Sequence, residues 1–468
     1  MMNQWNQGYS NYVIAGGDCI CSLFSNFIAK HNDPKFFDDE SLKAVFHNTI
    51  DRFLYSFGTG LSYTSKKISK NHVKRISRIV DTIKSCKFMD DCNLYIDSGG
   101  FQVAMGAIEP NDMPLFIELY HNFLVDNSDK YEKAFSLDLP PGPTSSVFKS
   151  YNQIEELNRT SYNMVKSLPQ NVKDKMLYIH HFRTPSLYET WHRFLWDENM
   201  AEGCKNFATG GIVASSSTDL AIPIIIYTIP LSEVLKYAIQ NNMQSFDFHV
   251  LGGANFIDIF YHKLFSYHIK QVHNIDVRIT YDSSTIFKGL AIGRFCPVFK
   301  SDGILHRLDL HSNTLHLKYD GNLTAEDVIY NEMNNIANHC GLGTLNPELN
   351  PIYDLERNTF NRAVHMYLMM CIMNTYRQAE LYCDEYVQNI YPLYRDDKID
   401  EFDKKCNEIA SKFNQGKLTK KMQVKSYSVY KSLQILTDLN MEYNRFLINK
   451  FMSNDDNSSM IGDGLLTF

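Results

Sequence analysis

Three aspartates stand where they could do chemistry together: Asp97, Asp138 and Asp282. Each directly follows a short β-rich run; Asp97 and Asp282 precede small or polar residues, and Asp138 precedes Leu139-Pro140-Pro141. A carboxylate held against a sugar carbon can act as a nucleophile through a glycosyl–enzyme intermediate. A second can move protons. An ionised third, acceptor only, can take both hydrogen bonds from a guanine-like N1–H and 2-amino edge. Gly99-Gly100, Gly210-Gly211 and Gly252-Gly253 recur at the same level, with the pair His180-His181 between them. Paired glycines let a flat ligand approach backbone N–H and C=O groups closely. Each feature has a bland reading: an Asp after a strand is often a helix N-cap, and Gly-Gly is often a tight turn. The histidines could be ordinary core residues. The recurrence of all of them at one structural level favours a site for base exchange at a glycosidic bond.

The elements that must position these residues are legible as a rhythm. Apolar β-rich runs occupy Asn93–Ile96, Ala134–Leu137, Met176–Ile179, Asn206–Thr209, Phe246–Val250 and Val277–Tyr281. Between them, Met113–Val125, Gln153–Leu168, Leu187–Asp197, Leu231–Asn242 and Phe256–Lys270 carry apolar residues at three- and four-residue spacing, the helical period. Strand ends recur roughly 30 to 40 residues apart, enough for a strand, a loop, a helix and a return. Six such units, with room before residue 90 and after 285 for two more, predict a TIM-type (β/α)8 barrel. No Gly-x-Gly-x-x-Gly follows any of the runs, which removes the main sequence support for a dinucleotide fold. In a barrel the active site lies at the C-terminal ends of the strands, which is where the aspartates and glycines fall. After about 320 the rhythm gives way to charged helical patterns over Ala325–Cys340, Asn358–Asn389 and Ile399–Lys450. The expected organisation is an N-terminal extension (1–50), a barrel (51–320), a helical C-terminal domain (321–452) and a flexible tail (453–468).

The chain has 468 residues, 44% hydrophobic and 21% charged, a globular balance that excludes wholesale disorder. No run reaches the ~20 apolar residues of a membrane span. The nearest, Leu220 to Leu231, is broken by Pro223 and Pro230. No membrane partner is expected. The first twelve residues lack a signal-peptide pattern, and ten cysteines without a tight framework read as reduced thiols, so a cytoplasmic location is expected. A net charge of −7 argues against a protein that coats nucleic acid but not against a local basic surface. Two stretches qualify: Lys66 to Lys87, with eight Lys/Arg against Asp81, and Lys404 to Lys431, with eight Lys against Glu408. The plain reading of either is a solvated helix face.

Taken together, these residues resemble a known family. Asp97-Ser98-Gly99-Gly100-Phe101-Gln102 is similar to the Asp-Ser-Gly-Gly-Phe/Tyr-Gln motif of the queuine/archaeosine tRNA-guanine transglycosylases. Asp138 falls where that family has its base-recognition aspartate. Thr209-Gly210-Gly211-Ile212-Val213 resembles its Gly-Gly-Leu-Ala segment, and His249-Val250-Leu251-Gly252-Gly253 its Leu-Met-Gly-Val-Gly segment. Asp282 falls at its nucleophile. The resemblance spans roughly residues 50 to 300. Departures point toward the family's DNA-modifying branch, found in phages and bacterial modification islands. The zinc-binding Cys-x-Cys-x-x-Cys is missing from the late cysteines Cys340, Cys371, Cys383 and Cys406, while Cys19 and Cys21 lie at the wrong end, so no cofactor and no structural zinc is expected. A histidine, His180 or His181, stands where the bacterial tRNA enzymes have a base-contacting glutamine. Ser283 to Lys288 replaces an arginine-bearing segment.

The resemblance implies an enzyme that replaces guanine in DNA with a 7-deazaguanine such as 7-cyano-7-deazaguanine, protecting the DNA from restriction, in the host cytoplasm if phage-encoded. Asp282 would be the nucleophile and Asp97 the general acid/base. Asp138 would read the base edge. Ser98, Gly99, Gly100, His180, Gly210, Gly211, Leu251 and Gly252 would complete the pocket. Lys288, Arg294, Lys74, Arg75 and Arg78 would hold phosphates. The partners would be double-stranded or locally opened DNA and a free 7-deazaguanine base, and a homodimer is compatible with the sequence. The competing readings are a tRNA-guanine transglycosylase, a different barrel enzyme such as a glycoside hydrolase using Asp97 and Asp282, and a non-catalytic relative acting as a binding partner.

Overall fold

A computed structural model describes residues 11–15, 43, 46–61, 67–104, 106–137, 151–180, 185–210, 221–283, 295–299, 303–309, 318–319, 323–324 and 357–452. Eight parallel strands close into a barrel in chain order: β1 (Tyr12–Ala15), β2 (Arg52–Ser56), β3 (Asn93–Asp97), β4 (Lys133–Phe135), β5 (Met176–His180), β6 (Asn206–Thr209), β7 (Ser245–Val250) and β8 (Asp276–Ser283). The ring shuts where β8 pairs with β1, Asp282 opposite Val13. Closure removes every edge of this sheet, so no barrel strand is left to pair with another chain.

The six rhythmic runs correspond to β3 through β8. The remaining two strands both precede residue 90, so the room after 285 supplies no barrel strand. Tyr12–Ala15, within the stretch read as an extension, is the first barrel strand. Beyond β8 the chain forms an antiparallel hairpin, β9 (Phe295–Phe299) and β10 (Leu305–Asp309), with Phe299 opposite Leu305. It lies on helix 357–395, where Thr375 Oγ1 donates to the Pro297 carbonyl at 3.0 Å and Phe299 meets the edge of Tyr382.

Strand alternation sorts side chains into two layers. Val13, Leu54, Tyr95, Phe135, Leu177, Ile179 and Ala208 point inward and fill the barrel, with Ala15 and Leu251 packed on them. Their neighbours Ile14, Phe53, Ile96, Tyr178, Phe207 and Phe248 point outward into the core beneath the helices. Helix 70–85 shows why the helices seat as they do. Ile76, Val80 and Ile83 form its buried stripe, while Lys70, Lys74 and Arg78 lie on the opposite, exposed face. The N-terminal end of the barrel is plugged by polar residues. Arg278 makes a two-pronged contact to Asp247 at 3.0 and 2.6 Å, and Lys133 reaches the same carboxylate at 3.0 Å.

The C-terminal helices (357–395, 399–412, 420–438 and 441–452) do not build a core of their own. Tyr376, Cys383, Leu433 and Leu436 belong to the same buried cluster as the barrel residues Tyr12, Phe260 and Tyr281. Tyr12 stacks on Tyr376 with ring centroids 3.9 Å apart, and the Tyr376 hydroxyl donates to the Ala254 carbonyl at 2.8 Å. Helix 256–273 is therefore covered on two sides, which explains its broad buried stripe from Ile257 to Ile269. Among the described residues no helix is long and apolar enough to cross a membrane. Cys86 is disulfide-bonded, contrary to the expectation of reduced thiols throughout, whereas Cys92, Cys204, Cys383 and Cys406 are free.

Candidate active site

Asp282 is carried inward by β8, on the same side as Thr280 and opposite to the buried outward residues Ile279 and Tyr281. One of its oxygens is held from two directions. The Gly252 N–H donates to Oδ1 at 3.0 Å, and His249 Nε2 lies 3.2 Å from the same atom. An ionised carboxylate has no proton to give, so the imidazole is the donor. The second ring nitrogen, Nδ1, lies 2.9 Å from Thr280 Oγ1. His249 is fully buried, edge-on to Phe135 at 4.9 Å and tilted against Tyr95 at 6.2 Å. Gly252 supplies its N–H from a backbone with φ of 78°, a left-handed conformation open to glycine at little cost. Among the described residues Oδ2 has no hydrogen-bond partner, and it is the oxygen left for the lumen.

Asp97 ends β3 on the inward side, following the lumen residue Tyr95 by two. It is half-buried, and its Oδ2 accepts the Gly99 N–H at 3.2 Å. The turn beyond it is held by contact between two glycines. A Cβ on Gly99 (φ 85°) would sit 2.5 Å from Gly58 Cα. The Phe57 N–H donates to the Asp97 carbonyl at 2.8 Å, so the loop after β2 braces the loop after β3. Ser98 is fully buried, and its Oγ accepts the Gly100 N–H at 3.3 Å, starting the short helix Gly100–Ala104.

Gly210 follows β6, its N–H on the His180 carbonyl at 3.3 Å. Leu251 is tied to the Thr209 carbonyl at 3.0 Å and packs on the lumen cluster. Asp97, Asp282, Gly210, Leu251 and Gly252 thus gather at one end of the barrel. Asp138, Gly211, Lys288 and Arg294 lie outside the described residues.

His180 does not line the lumen, which corrects its expected role. Alternation turns Ile179 inward and His180 outward, under the helices. There His180 Nδ1 lies 3.6 Å from Glu233 on helix 221–240. Glu233 also accepts His192 Nδ1 at 3.1 Å, Trp196 Nε1–H at 3.0 Å and the Tyr188 hydroxyl. Burial alone would raise this carboxyl, but the hydrogen bond from His192, the two imidazoles and Tyr188 bring it below its ordinary value. Burial opposes charge on His192, and Glu233 overrides it, raising the imidazole. The cluster clasps the helices that follow β5 and β6.

Lys74, Arg75 and Arg78 are exposed on helix 70–85. Arg75 is committed locally, donating Nη2–H to the Thr59 carbonyl at 2.7 Å, which leaves Lys74 and Arg78 better placed for an outside anion. Sequence reasoning misses His249 and Thr280 as site side chains. Their signal is parity: each stands two residues before a candidate site residue, Leu251 and Asp282. Among the described residues no group of three or more His, Cys, Asp or Glu could hold a metal ion. Comparisons with protein-family models, curated proteins and solved structures gave no match.

Proposed function

We infer that the chain is a base-exchange glycosyltransferase that removes guanine from DNA and installs a 7-deazaguanine. The observation that carries this is the pair of inward carboxylates, Asp97 and Asp282, at the C-terminal end of the barrel, where barrel enzymes do their chemistry. Asp282 Oδ2 attacks C1′ of the target nucleotide as the C1′–N9 bond breaks. Asp97 gives its proton to the departing guanine. It then takes the N9 proton of the incoming base, whose nitrogen displaces Asp282 from C1′. Two displacements retain configuration. The target nucleotide must leave the stack to reach the lumen, and the Lys74–Arg78 face offers contacts to its phosphates.

The choice of DNA over tRNA rests on the family resemblance, and the experiment separates them. Purified protein is incubated with labelled guanine and either duplex DNA or tRNA. Label should enter DNA, and Asp282→Asn should abolish it. Label entering tRNA alone would replace DNA with tRNA as the substrate. No label in either, with 7-cyano-7-deazaguanine also refused, would remove the base-exchange reading altogether.

A further inference from the structure

The Asp282 carboxylate is held asymmetrically, and the asymmetry has chemical consequences. Both donors, Gly252 N–H and His249 Nε2, converge on Oδ1. The Thr280 hydroxyl faces Nδ1 at 2.9 Å. If that hydroxyl donates, Nε2 is the nitrogen that carries the ring proton. Phe135 and Tyr95 flank the imidazole, so the ring has little room to rotate away.

We propose that Thr280, His249 and Gly252 form a fixed cradle for Oδ1, with His249 as a positioning residue that governs how readily Asp282 leaves the sugar. This rests on the base-exchange reading above. When Oδ2 bonds to C1′ and the C1′–N9 bond breaks, Oδ1 changes from a carboxylate oxygen to an ester carbonyl. When the incoming N9 bonds to C1′ and the C1′–Oδ2 bond breaks, the electron pair returns to the carboxylate. Hydrogen bonds to a charged oxygen are about twice as strong as those to a neutral one. The cradle therefore stabilises Asp282 as a leaving group more than it assists its attack. Thr280 acts one step back, by fixing which ring nitrogen is the donor.

The role has a kinetic signature that a merely structural one lacks. His249→Phe keeps a flat ring against Phe135 but has no donor. Breakdown of the covalent protein–DNA intermediate should slow roughly 10- to 100-fold, the range for a lost hydrogen bond to a charged group, so that the intermediate accumulates. His249→Gln restores an N–H and should recover most of the breakdown rate. Thermal unfolding of both variants identifies any that fail to fold. A second measurement needs no turnover. Nitrogen NMR of histidine-labelled protein should show an Nε2–H tautomer for His249, disturbed by Thr280→Val and by Asp282→Asn. A folded His249→Phe that exchanges guanine without accumulating intermediate overturns the inference and leaves the function standing. A wild-type protein with no exchange, whose His249 signal still answers to Asp282→Asn, keeps the cradle and removes the proposed reaction. A signal indifferent to Asp282→Asn overturns the cradle whatever the activity.

Discussion

At the scale of single residues, the molecule commits backbone conformation to hold its acids. Gly99 and Gly252 both have positive φ, and each presents an N–H to one of the two inward carboxylates. Gly99→Ala meets two obstacles at once. Its φ of 85° is unfavourable for an L side chain, and the new methyl would lie 2.5 Å from Gly58 Cα. Together these should cost about 2–4 kcal/mol in urea unfolding. Loss of stability below about 0.5 kcal/mol would show that the loop yields freely and does not brace Asp97. Asp97 and Asp282 are legible in the sequence because each closes a strand with a distinctive neighbourhood. His180 is easily misplaced because a histidine at a strand end can face either the lumen or the helices, and only the strand's register says which. His249 escapes notice because a histidine between Phe248 and Val250 reads as core until alternation is counted back from Leu251.

Among the elements, the least legible fact is which partner each C-terminal helix takes. A 3.6-residue period marks a helix and its apolar face but does not name the surface it covers. Here helices 357–395 and 420–438 close onto helices 256–273 and 221–240, the second layer of the barrel, while helix 399–412 packs on 357–395 and 420–438. The contact has a titratable centre. His268 on helix 256–273 sits between the Tyr391 hydroxyl and Thr437 Oγ1, each at 3.0 Å. Burial, aided by the nearby His273, pushes its imidazole down to about 4. Between that value and the ordinary 6.5 the unfolded chain binds the proton and the folded chain does not, so stability rises with pH across this window and is lost as pH falls through it. The full effect is on the order of 3 kcal/mol. Chemical denaturation of wild type and His268→Gln at about pH 7 and about pH 4.5 checks this. The wild type should lose more stability on acidification than the variant, and equal losses would place the acid sensitivity elsewhere. The strands β1 and β2 are hidden for a different reason. They are no shorter than β4 or β6, but they lie before residue 90, ahead of the stretch where strands and amphipathic helices alternate at a steady spacing, so no rhythm marks them.

On the scale of the whole molecule, barrel and C-terminal helices share one buried core. Tyr12 opens the barrel and stacks on Tyr376 far along the chain, and the Tyr281 hydroxyl donates to Glu380 at 2.7 Å. Residues 1–320 expressed alone should therefore lack a cooperative thermal transition, whereas a sharp transition like that of the full chain would make the barrel independent. The overall charge of −7 leaves any DNA contact to local surfaces. Changing Lys74 and Arg78 together to Gln should lower the salt dependence of DNA binding by about two in log–log slope. An unchanged slope would move the phosphate contacts off helix 70–85. The proposed reaction requires that Asp282 bonds to the sugar during turnover. Rapid quenching of the protein with guanine-containing DNA, then digestion and mass spectrometry, tests it most directly. A deoxyribose-linked adduct is expected on the peptide bearing Asp282, absent from Asp282→Asn. An active wild-type protein with no adduct there, or with the adduct on another residue, contradicts it.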